Sequence, residues 1–167
     1  MLFRSSQEYA KVLSELSQDS ARNRLIAKDV AAAAGNGAGT CLVLSDRKAH
    51  CETIKSLLDS HGVASEMLTG DIANGKRQEI IARLNRGQIK VLISTTQLLS
   101  EGFDAKCLET LFLITPITWH GRLTQCVGRC LRPAPGKTKA AVFDYVDAHV
   151  PVLAASARAR RRVYADG

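Results

Sequence analysis

No apolar run in this 167-residue chain approaches the roughly 20 residues that a membrane-crossing helix needs. The opening residues, Met1-Leu2-Phe3-Arg4-Ser5-Ser6-Gln7-Glu8, turn polar at once and lack the apolar segment of a signal peptide, so a cytoplasmic protein is expected. The five cysteines (Cys41, Cys51, Cys107, Cys126 and Cys130) are odd in number and contain no C-x-x-C pair. Cys126 and Cys130 sit four apart, but no histidine neighbours them at ligand spacing, which favours buried thiols in a reducing compartment over zinc. His50, His61, His120 and His149 are scattered without metal or catalytic spacing and receive no role. No internal repeat appears, and Trp119 is the single tryptophan, expected in packing or a domain contact rather than stacked on a base.

What the chain does have is positive charge and alternation. A net charge of +7 suits either a polyanionic partner or a solvated basic surface. Part of it is local, in Arg158, Arg160, Arg161 and Arg162, which read as a solvent-facing helix end. Residues 7–34 carry apolar positions at helical spacing, restarting after Asp19-Ser20. Beyond Gly35 to Gly39 the pattern alternates. Short apolar runs at 41–44, 64–68, 90–94, 111–114 and 140–143 read as strands. Between them lie helices, one capped by Ser45 or Asp46 and ended by Gly62, one ended by Gly87, one over about 122–131, and a last one over 150–164. This order implies a parallel sheet covered by helices on both faces, with function gathered where strands end.

Three strand ends hold unusual polar sets. Thr69-Gly70 follows one, Thr95 closes another, and Gln125-Cys126-Val127-Gly128-Arg129-Cys130-Leu131-Arg132 follows a third. A helix presents Gln125, Arg129 and Arg132 on one side, and Gly128 removes a side chain beside them. Two permanent cations and an amide aimed together suit a phosphate gathering negative charge. Each piece alone reads more readily as a solvated arginine pair or ordinary turn chemistry.

Their order and spacing resemble the C-terminal RecA-like domain of superfamily 2 helicases. Leu42-Val43-Leu44-Ser45 looks like motif IV, and Leu68-Thr69-Gly70 with Arg77 looks like the turn and helix that follow it. Val91 to Thr95 through Glu101-Gly102-Phe103-Asp104 resembles motif V, and Gln125 to Arg132 carries the Q-x-x-G-R-x-x-R pattern of motif VI. The resemblance implies a three-layer RecA-like, P-loop NTPase-type domain over 40–147, with a helical lead-in over 1–39 and a basic helix over 148–167. It implies that Arg129 and Arg132 are arginine fingers reaching the ATP γ-phosphate, with Gln125 coupling them to a partner domain. Gly102 and Asp104 would approach the nucleotide, and Ser45, Thr69, Gly70 and Thr95 would grip one nucleic-acid backbone.

Two parts of such a motor are missing from the sequence. There is no Walker A loop: Gly136-Lys137-Thr138 imitates its end, but Leu131 stands where the upstream glycine belongs, and a strand rather than a helix follows. No Asp-Glu pair at a strand end offers a magnesium site. The resemblance therefore implies ATP with Mg2+ held mainly by an N-terminal RecA-like domain of the same full-length protein, and no ATP hydrolysis by this chain alone. Single- or double-stranded nucleic acid is the expected partner, DNA favoured because the pattern looks closer to restriction and repair motors. The competing expectations are a non-catalytic RecA-like nucleic-acid-binding module and an unrelated doubly wound nucleotide-dependent transferase. The transferase would want a glycine-rich turn after the first strand, where Ser45-Asp46-Arg47-Lys48 has none.

Overall fold

The run Cys41-Leu42-Val43-Leu44, apolar at every position, lies in the middle of a five-stranded sheet, as a strand covered on both faces must. The computed structural model describes residues 6–37, 39–100, 107–116, 121, 124–125, 128, 132–137 and 140–165. Its elements are α1 (Ser6–Gln18), α2 (Ser20–Gly35), β1 (Thr40–Ser45), α3 (Lys48–Ser60), β2 (Ser65–Leu68), α4 (Asn74–Asn85), β3 (Val91–Thr95), α5 (Thr96–Ser100), β4 (Leu108–Leu113), β5 (Ala141–Asp144) and α6 (Pro151–Ala165). The strand order is β2-β3-β1-β4-β5, and every pairing is parallel.

Alternation along each strand splits the core in two. Leu42, Leu44, Leu92, Leu111 and Leu113 meet Ile80 and Leu84 of α4 on one face. Cys41, Val43, Val91, Ile93 and Phe112 meet Ile26, Ala27 and Val30 of α2 and Cys51, Ile54 and Leu58 of α3 on the other. Helices α3 and α4 stop as their sequences predict. Gly62 and Gly87 take φ of +71° and +73°, and the crossed bonds Val63 N–H to Leu58 O and Gln88 N–H to Arg83 O close α3 and α4.

The helical stretch 7–34 divides into two helices where its spacing restarts, because the Asp19 carboxylate accepts from Arg22 N–H at 3.0 Å and caps a new one. Several local expectations need correction. Neither Ser45 nor Asp46 caps α3: its N-cap is Arg47, with no side-chain bond. β4 begins at Leu108 rather than 111, since polar Glu109 and Thr110 masked its first half. The arginines of α6 are not all solvated, for Arg160 is buried and makes a two-pronged pair with Asp144 at 2.8 and 2.9 Å.

Candidate functional site

The carboxyl ends of β1, β2 and β3 open onto a cleft of about 530 Å3 lined by Asp46, Lys48, Thr69, Gly70, Asp71, Thr95, Thr96 and Gln97. Thr69, Gly70 and Thr95 come together there because β2 and β3 run side by side with Leu68 opposite Ser94. A Cβ added at Gly70, which lines this cleft, would meet nothing within 4 Å among the described residues.

Around these three residues lie groups that motif reading missed. The Thr69 hydroxyl donates to Asp71 Oδ1, and the Lys48 ammonium donates to Asp71 Oδ2. Those two bonds, from Lys48 first and Thr69 second, hold the Asp71 carboxyl down at about 2, and the same pairing raises the Lys48 ammonium. Asp46 accepts from the Thr96 hydroxyl, while its own N–H donates to Thr115 Oγ1 at 2.9 Å. The missed signal was positional: Asp46, Lys48 and Asp71 all follow strand ends, where parallel sheets collect function.

Ser45 behaves differently from its companions. It is fully buried, and its hydroxyl is turned into the domain. Asn23 donates its amide to Ser17 O at 2.8 Å, which aims its oxygen at His50 Nε2, also 2.8 Å away. His50 must then carry its proton on Nε2 and present a lone pair at Nδ1, where the Ser45 hydroxyl donates over 3.0 Å. The same hydroxyl oxygen accepts from Arg47 N–H at 3.1 Å. Burial, and behind it the Arg22 charge, pushes the His50 imidazole down to about 4, so it stays neutral. A histidine given no role from sequence thus sits at the centre of a buried relay.

A second frame stands beside it. Arg22 of α2 grips Asp147 with two bonds, 3.0 and 3.3 Å, and donates to Ile114 O at 2.7 Å, tying the ends of β4 and β5 to α2. Burial lifts the Cys41 and Cys51 thiols to about 11 and about 12, which keeps both protonated and inert. Among the described residues no three His, Cys, Asp or Glu side chains gather as a metal site. No helix among them is long and apolar enough to cross a membrane.

Of the motif VI residues, Gln125 and Arg132 are exposed, and Thr124, Gln125 and Gly128 are helical. Arg129, Gly102 and Asp104 lie outside the described residues, as do Trp119, Cys126 and Cys130. The Walker-like Gly136 lies in a turn ahead of β5 and Lys137 follows it, its ammonium donating to Arg132 O at 3.0 Å.

An all-parallel sheet in this order, with helices on both faces and polar groups massed at the carboxyl ends, defines a RecA-like domain. The model of the helicase conserved C-terminal domain matches residues 22–134, more than half of the chain, and the chain belongs to that family. A Saccharomyces cerevisiae protein whose name provisionally makes it an ATP-dependent helicase, IRC3, is 27% identical over 101 residues, covering 60% of this chain and 14% of its own length. The ATP-dependent RNA helicase RhlB of Shewanella halifaxensis is 35% identical over 54 residues, 32% of this chain and 12% of that one. The chain thus spans about one seventh or less of these relatives. In fold it is similar to T4 UvsW, with a TM-score of 0.74 at 22% identity over 98% of this chain and 35% of that chain. It is also similar to Saccharomyces cerevisiae Dbp5 bound to RNA and ADP BeF3, with a TM-score of 0.69 at 18% identity over 87% of this chain and 37% of that chain.

Proposed function

We propose that this is the second motor domain of an ATP-dependent DNA helicase or translocase, acting in the cytoplasm. It supplies arginine fingers and a grip on one strand, while an N-terminal RecA-like domain of the same full-length protein binds most of the ATP and Mg2+. The observation that carries this reading is the cleft at the ends of β1, β2 and β3. Thr69, Gly70 and Thr95, singled out by motif order, line it together, with hydroxyls and backbone N–H groups of the kind that hold phosphodiesters. Ser45 contributes to the grip from beneath, by holding the Arg47 N–H and hence the turn that walls the cleft.

Arg129 and Arg132 act on the γ-phosphate, Gln125 couples them to the partner domain, and Gly102 and Asp104 approach the nucleotide. ATP draws the two domains together, hydrolysis releases them, and alternating grip moves the protein along the strand. Guanidinium groups facing a phosphoryl group in transfer contribute about 10³ to 10⁵ in rate. Mixing this chain with its N-terminal motor domain should restore nucleic-acid-stimulated ATP hydrolysis that neither half shows alone. Arg129→Ala should cut that rate by about a thousandfold or more. Stimulation that survives Arg129→Ala unchanged removes the motor reading. Binding without any response to ATP in the mixture selects the non-catalytic module.

DNA as the strand rests on the likeness of the motif pattern to restriction and repair motors. RNA has on its side the 54-residue matches to RNA helicases. Competition between DNA and RNA oligonucleotides of one sequence decides between them.

A further inference from the structure

The cleft has an electrostatic oddity. In a chain of net charge +7, the described residues lining the proposed strand site carry two carboxylates, Asp46 and Asp71, against one ammonium, Lys48. A phosphodiester entering such a site meets net negative charge, which is unfavourable for any polyanion. The two carboxylates are not equivalent. Asp46, also exposed, is tied to the cleft wall at two points, with Thr96 donating to its carboxylate and Thr115 receiving its N–H. Asp71 stands in the opening, its side chain 59% exposed, and its two oxygens take one donor each: Thr69 on Oδ1 and Lys48 on Oδ2.

One anionic group with two oxygens bridging a hydroxyl and an ammonium is the arrangement a phosphodiester makes with its two free oxygens. We infer that Lys48 is a phosphate-contacting residue of this cleft and that Asp71 is its internal stand-in, displaced when a strand binds. The inference rests on the strand-grip reading above and names the residues that tune its affinity. Exchange is cheap in physical terms. A half-exposed ion pair is held weakly against water, so the phosphate displaces a contact of little net value. Once Asp71 swings out, Thr69 and Lys48 are free to donate to the phosphate, and the remaining Asp46–Lys48 lining is neutral.

The test is fluorescence anisotropy of a fluorescein-labelled single-stranded DNA oligonucleotide against the full 167-residue chain and its variants, across a salt series. Asp71→Asn keeps the shape and an acceptor for Thr69 but removes the competing charge, and should bind about threefold to tenfold tighter. Lys48→Gln should bind weaker by a similar factor, with the slope of log affinity against log salt reduced by about one. In the double variant the gain from Asp71→Asn should shrink, because the ammonium it would free is gone. Thr95→Val, far from the ion pair in chemistry but on the same cleft, tests the underlying reading. If Thr95→Val weakens binding while Asp71→Asn binds as the parent or worse, the stand-in idea fails and the strand grip survives. If Thr95→Val, Lys48→Gln and Asp71→Asn all match the parent, the grip reading itself fails. Thermal unfolding accompanies each variant, and Asp71→Ser carries the same expectation should Asp71→Asn not fold.

Discussion

Ser45 closes β1 and Thr69 follows β2, two hydroxyl residues at one end of the sheet with only β3 between their strands. Ser45 is wholly buried and donates inward to His50 of α3. Thr69 is nearly as buried, yet its hydroxyl reaches Asp71 at the mouth of the cleft. The difference lies in what covers them. Behind β1 stand α2 and α3, whose Asn23 and His50 offer partners; beside Thr69 the turn opens to water. One region is a closed polar frame in which donors and acceptors are matched. The other is an open site whose polar groups are satisfied by contacts that a ligand can replace.

That contrast is breakable. The heaviest blow should come from the frame at Arg22→Met, which strands the buried Asp147 carboxylate and frees Ile114 O. Removing one partner of a buried pair costs about 3–5 kcal/mol, a large share of a small domain's stability, and urea unfolding should register it. Acid is next. His50 takes its proton near 6.5 when unfolded but only at about 4 when folded. Between those values the unfolded chain binds more protons, so stability falls as pH falls, beginning below about 6.5 and complete near 4. The loss should be roughly 3 kcal/mol, at about 1.4 kcal/mol per pH unit, and a His50→Leu variant should lose that pH window.

Smaller effects separate the two hydroxyls directly. Ser45→Ala leaves His50 Nδ1 and Arg47 N–H unpaired in a buried setting and should cost about 2 kcal/mol in urea unfolding. Thr69→Val gives up a bond to an exposed carboxylate and should cost under about 1 kcal/mol while weakening DNA binding about threefold to tenfold. Equal stability losses at the two positions would erase the distinction between frame and cleft.

Much of the scaffold could be read from residue order. The five strands fall within a few residues of their expected places because alternation and apolar runs are local signals, and Gly62 and Gly87 marked helix ends through a backbone conformation that glycine adopts freely. Thr69, Gly70 and Thr95 were legible as a group because motif spacing carried them. What escaped was pairing at a distance. Nothing in the neighbourhood of His50 announces Asn23, 27 residues earlier, and nothing near Arg22 announces Asp147, 125 residues later. The helical stretch 7–34 was legible as a lead-in packed on the domain, but not that α2 supplies Ile26, Ala27 and Val30 to the core.

Residue order by itself determined the class of this protein: alternating elements, a parallel sheet, and the motif set of a helicase C-terminal domain. Tertiary structure alone decided which hydroxyl at a strand end faces inward, which carboxylate is tied to the strand ends and which stands in the opening, and which histidine is buried among partners. The reason is physical. Secondary structure and motif spacing follow from interactions a few residues long, whereas the direction of a hydroxyl depends on whichever partner the fold brings within about 3 Å of it.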